Sequence, residues 1–93
     1  MKPLTLVLNM AIEPFSVGIF SGNKIISETY QQSSRHFSEA LMPLIETMCK
    51  QHNTRLTDLS AVGTVTGPGS YTGLRISIAT VKTLALALNI PLY

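Results

Sequence analysis

The stretch Ala61-Val-Gly-Thr-Val-Thr-Gly-Pro-Gly-Ser-Tyr-Thr-Gly-Leu-Arg75 decides the fold of this chain. Residues 61–66 predict a strand, and residues 67–73 carry glycines and a proline, which is turn chemistry. A long helix then runs to about Leu88, where Asn89 and Pro91 stop it. A strand, a glycine turn and a helix in this order predict a sheet with a helix packed against it.

The residues before this stretch predict three strands and a first helix. Leu4–Leu8 is a nearly continuous apolar run, which is typical of a strand covered on both faces. Phe15–Ile19 alternates apolar with small or polar residues, and Lys24–Tyr30 returns after a Ser-Gly-Asn turn. Apolar residues at helical spacing predict an amphipathic helix from about His36 to about Gln51, which Pro43 should kink.

The end of the chain completes the topology. After a short turn at 56–59 and the strand and helix described above, Ile90–Tyr93 predicts the first residues of a truncated fifth strand. The resulting α/β order is β-β-β-α-β-α with that partial strand. It matches the ribonuclease H-like lobe of the actin, Hsp70 and sugar kinase superfamily, a likeness of fold and not of function. With 93 residues, the chain is expected to form one such lobe over residues 1–93.

The composition favours a protein-binding role. Hydrophobic residues make up 45% of the chain and charged residues only 13%, against about 25% in an average globular protein. The net charge of +2 comes without a run of basic residues, so strong direct binding of nucleic acid is not supported. Neither a signal peptide nor a stretch of membrane-spanning length is present, and we expect a soluble, cytoplasmic protein.

The glycine loop is the most informative motif. Backbone N–H groups at the start of a helix favour an anion, so the loop is a candidate phosphate cradle. The other interpretation is a tight strand-to-helix turn with a serine or threonine N-cap, and both remain open. Neither the Walker nor the Rossmann spacing fits. The candidate anion-binding residues are Gly67, Gly69, Ser70, Thr72 and Gly73.

The sequence offers little for catalysis or metal binding. His36 and His52 lie on opposite sides of a common helix, and no His-Glu-x-x-His pattern exists. Cys49 is the only cysteine, so neither an internal disulfide nor a cysteine-based zinc site is possible. No catalytic residue and no metal ligand are therefore assigned.

Several segments resemble the TsaB (YeaZ) family of tRNA threonylcarbamoyladenosine biosynthesis proteins. The most specific is Gly67–Arg75. Weaker matches are His36–Ile45, Leu56–Leu59 and Phe15–Ile19. Two departures stand out: Leu8-Asn9-Met10-Ala11 replaces the family's usual Ile-Asp-Thr-Ser, and the family's second lobe is absent.

The resemblance implies a non-catalytic scaffold for tRNA modification. Its expected partners are a TsaD-like catalytic subunit and, through the complex, a TsaE-like ATPase, with tRNA contacted only indirectly. A homodimer is the alternative assembly when the partner is missing. No cofactor is implied beyond a weak phosphate or nucleotide contact at the glycine loop.

The resemblance also implies that the partner surface is a bundle of lobe-one helices, and apolar bulk predicts which face of each helix packs on the sheet. On the first helix this directs Phe37, Leu41, Leu44 and Met48 to the sheet. On the second it directs Leu74, Ile78, Val81 and Ala85 there. The interface residues are then Met42, Ile45, Cys49, Ile76, Thr80 and Thr83, although the opposite choice of faces is nearly as well supported.

Two other functions are compatible with parts of the sequence. The first is a nucleotide-binding lobe of an actin-like kinase or ATPase, with the glycine loop on the phosphates. Asn9 argues against it, because the superfamily uses an aspartate there to hold a divalent cation. The second is a metallopeptidase of the glycoprotease grouping, which would need paired histidines that this sequence lacks.

Overall fold

A computed structural model describes residues 3–10, 14–31, 37–65 and 71–93. Its strands are β1 (Leu4–Asn9), β2 (Phe15–Ser21), β3 (Lys24–Gln31) and β4 (Leu59–Thr64). Its helices are α1 (Phe37–Gln51) and α2 (Tyr71–Leu88), with a single 3₁₀ turn at Leu56–Asp58. The predicted element order is confirmed. β4 begins two residues earlier than predicted because Leu59 already pairs with Leu4.

The strands form one mixed sheet in the order β3-β2-β1-β4. β1 is antiparallel to β2 and parallel to β4, while β2 and β3 form an antiparallel hairpin. Gly22 lies in the two-residue turn of that hairpin with φ +62°, a conformation that glycine adopts without steric cost. The predicted return of β3 after a Ser-Gly-Asn turn is therefore confirmed.

The predicted start of a fifth strand is also present. Leu92 forms a parallel bridge with Val62 beside β4. Val62 donates its backbone N–H to the carbonyl of Pro91 at 3.1 Å, and Tyr93 donates to the carbonyl of Val62 at 2.9 Å. Residues 91–93 thus extend the sheet on the β4 side.

The core lies between one face of the sheet and the two helices. From the sheet it contains Leu6, Leu8, Phe15, Val17, Ile19, Leu59 and Val62; from the helices it contains Leu41, Ile45, Met48, Cys49, Val81 and Leu84. The opposite face of β1 is only half-buried at Thr5 and Val7. The prediction that β1 is covered on both faces is therefore wrong within the described residues, where both helices lie on the same side.

The face assignment of α1 is wrong at two positions. Ile45 and Cys49 were predicted to face outward, but they are 0% and 2% exposed. Leu41 and Met48 are buried as predicted, while Leu44 and Met42 are half-buried. At about 100° per residue, the four buried residues span one arc of about 100°, rotated toward Ile45 and Cys49 from the stripe chosen by bulk. The side chain of Phe37 lies outside the described part, and the kink at Pro43 stays a prediction.

The face assignment of α2 also needs correction. The buried positions are Gly73, Ser77, Val81 and Leu84, of which only Val81 was predicted to face the sheet. The three other residues predicted there, Leu74, Ile78 and Ala85, are half-buried. In its first two turns, α2 directs its small residues toward the sheet, not its bulky ones.

The burial of Cys49 predicts an unreactive thiol. Desolvation is the main cause that raises the pKa of Cys49, and nearby acidic groups add to it, while a hydrogen bond with Thr54 opposes it. The folded chain therefore holds the thiol proton more tightly than the unfolded chain. The tighter proton binding adds to the free energy of unfolding. This addition is fully present below the ordinary pKa of the thiol and is lost as the pH rises through the raised pKa.

We expect Cys49 to react with a chromogenic disulfide reagent at neutral pH at least about tenfold more slowly in the folded chain than in urea. The measurement is the rate of thiol release with and without denaturant. Equal rates in both conditions would contradict the burial of Cys49 in the core.

Candidate functional site

Two regions correspond to the residues singled out in the sequence. One is the junction that brings α2 onto the ends of β1 and β4, where the glycine loop joins strand to helix. The other is the surface between α1 and α2. Of the candidate anion-binding residues, Gly67, Gly69 and Ser70 lie outside the described residues. Thr72 is helical, but its side chain lies outside the described part.

Gly73 is the described member of that loop, and it lies against the end of β1. A Cβ atom at this position would overlap the carbonyl oxygen of Met10 and lie 3.0 Å from the ring of Phe15. Gly73 is buried and Met10 is fully buried. Glycine is needed here so that the backbone of α2 can approach the backbone that follows β1.

Hydrogen bonds fix the other side of the same junction. Thr64 at the end of β4 donates its hydroxyl to Ser77 Oγ at 3.0 Å, and Ser77 donates to the carbonyl of Leu74 at 3.1 Å. Val65 donates its backbone N–H to the carbonyl of Leu8 at 3.1 Å. The residues on both sides of the glycine loop are therefore held at the carboxyl ends of β1 and β4. This anchoring is what the tight-turn interpretation requires, and it does not test anion binding.

Asn9 ends β1 at the same edge of the sheet, opposite Ser16 of β2. It is half-buried. Among the described residues, no three His, Cys, Asp or Glu side chains converge to form a metal site. No described helix is both long enough and apolar enough to cross a membrane.

The second region is a groove between the helices. Its volume is about 190 Å³, and it is lined by Met42 from α1 and by Ala79, Thr80 and Thr83 from α2. Three of the six predicted interface residues, Met42, Thr80 and Thr83, are therefore brought together in one groove. Ile76 lies nearby on α2 but packs against the core.

The groove has a small-residue wall. Thr80 and Thr83 turn their hydroxyls back to the carbonyls of Ile76 and Ala79, at 2.8 and 2.9 Å. Because these hydroxyls are satisfied within the helix, the groove presents mainly methyl groups. Such a surface suits a large apolar side chain of a partner helix.

Sequence reasoning missed Ala79 and Leu86. Ala79 lines the groove, and Leu86, two turns further along the same side of α2, is 84% exposed. The available signal was the i, i+4, i+7 spacing of Ala79, Thr83 and Leu86, which places them in one row along the helix. The assignment of faces used the bulkier apolar residues, so it did not identify this row.

Comparisons with known proteins agree on one family. Residues 23–93 match the family model described as "TsaD: tRNA N6-adenosine threonylcarbamoyltransferase". The TsaB protein of Buchnera aphidicola (Schizaphis graminum) is 29% identical over 93 residues, which are 100% of this chain and 44% of the relative. The TsaB protein of Escherichia coli is 29% identical over 87 residues, 94% of this chain and 37% of the relative. These proteins are named as tRNA threonylcarbamoyladenosine biosynthesis proteins.

A Listeria monocytogenes protein named tRNA N6-adenosine threonylcarbamoyltransferase is 33% identical over 110 residues, covering 99% of this chain and 32% of the relative. Among solved structures, YeaZ from Pseudomonas aeruginosa superposes with a TM-score of 0.85 and 27% identity, over 98% of this chain and 42% of YeaZ. RuvC from T. thermophilus superposes with a TM-score of 0.63 over 98% of this chain and 62% of RuvC. Its identity of 10% shows a shared fold alone. The chain thus spans less than half the length of these TsaB and YeaZ relatives.

The close approach of the α2 backbone at Gly73 can be tested by substitution. We expect Gly73→Ala to destabilise the chain by about 1–3 kcal/mol or more, because the added methyl group meets backbone that cannot move cheaply. The measurement is urea unfolding followed by circular dichroism.

Gly63→Ala is the matched control. Its Cβ would lie 3.4 Å from the nearest atom, the carbonyl oxygen of Tyr93, which is an ordinary contact. Gly63→Ala should lower the free energy of unfolding clearly less than Gly73→Ala does. Equal losses for the two variants would contradict the close approach at Met10.

Proposed function

The chain belongs to the TsaD family and, within it, to the TsaB (YeaZ) proteins, and we propose that it serves tRNA threonylcarbamoyladenosine formation as a non-catalytic docking subunit. The partner in this proposal is a TsaD-like catalytic subunit bound through the groove between α1 and α2. Contact with a TsaE-like ATPase and with tRNA would be indirect, through that subunit. The complex would act in the cytoplasm.

The groove is the observation that carries the proposal. It combines a half-buried Met42 with the small side chains of Ala79, Thr80 and Thr83, and the exposed Leu86 follows Thr83 in the same row of α2. Small residues along one helix allow a partner helix to approach closely, and an apolar side chain can then insert between α1 and α2. A helical hairpin of the partner would complete a four-helix bundle.

Relatives of two kinds support this choice of partner. The same 93-residue chain is similar both to proteins named TsaB and to a protein named threonylcarbamoyltransferase. A partner with a similar lobe would present an equivalent helix pair, so the two pairs could pack with approximate two-fold symmetry. By the same geometry a second copy of this chain could occupy the groove when the partner is missing.

The test is a charge placed in the groove. Thr83→Glu should weaken association with the TsaD counterpart about 100-fold or more, because a carboxylate would be desolvated without a partner. The measurement is size-exclusion chromatography with light scattering, on each chain alone and on the mixture. Ile45 is unsuitable for this test because it belongs to the core.

Thr47→Glu is the control. Thr47 is also an exposed helical threonine, and its hydroxyl donates to the carbonyl of Pro43 at 2.9 Å, as that of Thr83 does to Ala79 at 2.9 Å. Thr47 does not line the groove. Association that survives Thr83→Glu as well as Thr47→Glu would rule out the groove as the docking site.

A further inference from the structure

Leu86 of α2 is the most exposed large apolar residue in the described part of the chain. It is 84% exposed, and the next is Tyr93, outside the helices, at 78%. A single exposed leucine needs no explanation, because soluble proteins carry many scattered apolar residues on their surface. The surroundings of Leu86 therefore decide whether it has a role.

The surroundings of Leu86 are small and uncharged. Residues 83–88, the end of α2, contain no charged side chain, and both charged residues of the helix precede them. Besides Leu86, the exposed residues of this segment are Thr83 and Ala87. A surface that lacks charge and exposes an aliphatic side chain is typical of the centre of a protein–protein interface.

Leu86 and the groove between α1 and α2 lie on the same side of α2. Ala79 and Thr83 line the groove, and Leu86 follows them at i+7 and i+3, so the three form one row. The middle of the groove wall on α2 is near residue 81. At about 1.5 Å per residue, Leu86 lies about 7.5 Å further along the helix axis. This surface therefore carries a protruding leucine beside a groove with small side chains.

The groove matches a leucine in size and in polarity. Its volume is about 190 Å³. One water molecule takes up roughly 30 Å³ of liquid, so the groove has room for a branched aliphatic side chain. The hydroxyls of Thr80 and Thr83 donate to helix carbonyls at 2.8 and 2.9 Å. These polar groups therefore lose no hydrogen bond when an apolar side chain displaces water from the groove.

A protruding residue beside a matching groove makes this surface self-complementary. In a contact with two-fold symmetry, residue i of one subunit meets residue j of the other, and j meets i. Leu86 would then face the partner's groove while the corresponding side chain of the partner faces this one. The two-fold axis passes midway between Leu86 and the middle of the groove wall, which is close to Thr83. A small side chain at that position allows the two helices to cross at short distance.

We propose that Leu86 is an anchor residue that inserts between the first two helices of the equivalent lobe of the TsaD-like subunit. An apolar side chain of that subunit inserts reciprocally into the groove of this chain, and the two α2 helices cross near Thr83. This inference rests on the docking function proposed above. The 33% identity with a threonylcarbamoyltransferase, over 99% of this chain, supports an equivalent lobe in the partner.

The first test is truncation of the anchor. Leu86→Ala should raise the dissociation rate of the complex with the TsaD counterpart about 30-fold or more, as expected for an interface hot spot. Leu86→Met keeps most of the apolar volume and should restore slow dissociation. The measurement is surface plasmon resonance, with the melting temperature of each variant alone to show that the fold is intact. Ile25→Ala is the matched control, because Ile25 is an exposed aliphatic residue on β3, at 51%.

The second test locates the insertion. A benzophenone amino acid in place of Leu86 is irradiated in the complex, and the crosslinks are mapped by mass spectrometry. They should lie in the first two helices of the partner's equivalent lobe, whereas the same amino acid in place of Ile25 should give none there. Crosslinks from position 86 to another part of the partner, or to a second copy of this chain when the partner is in excess, would overturn the proposal.

Failure of this inference can be told apart from failure of the proposed function. If Thr83→Glu prevents association but Leu86→Ala dissociates as slowly as the unchanged chain, the groove docks the partner and Leu86 is not an anchor. Faster dissociation of Ile25→Ala, equal to that of Leu86→Ala, would also contradict the anchor role. If the unchanged chain and the TsaD counterpart do not associate, both the docking function and the anchor are wrong.

Discussion

The close contact between α2 and the ends of β1 and β4 is the constraint on which the rest of the structure depends. Gly73 allows the helix backbone to meet the carbonyl of Met10, and Ser77 links Thr64 to the first turns of α2. Neither residue could be replaced by a bulky side chain without moving the helix away from the sheet. This contact therefore holds the first turns of α2 against the sheet.

The rotation of α2 about its own axis follows from that contact. With Gly73, Ser77, Val81 and Leu84 directed inward, the side of the helix that carries Ala79 and Thr83 faces Met42 of α1 and the solvent. The small residues therefore have two roles on one helix. Those on the inner side allow α2 to approach the sheet, and those on the outer side form the wall of the groove.

The order of the elements could be predicted because each leaves a local pattern: alternation in β2, helical spacing in α1, and a glycine turn before α2. The helix faces could not be predicted in the same way. Bulk suggested Leu74 and Ile78 as the inner residues, but backbone proximity at Met10 favours Gly73 and Ser77, and that proximity is a tertiary effect. Ile45 and Cys49 were misplaced because packing against the sheet rotates the inner face of α1 toward them, away from Leu44.

Family membership restricts the function, and hydrogen–deuterium exchange during complex formation is the most direct test of the proposed docking groove. On addition of the TsaD counterpart, amide exchange should slow in both helices around the groove, near Met42 and from Ala79 to Leu86. The strands β2 and β3 should exchange as before. Slower exchange confined to the sheet, or unchanged exchange in both helices, would contradict docking through the groove.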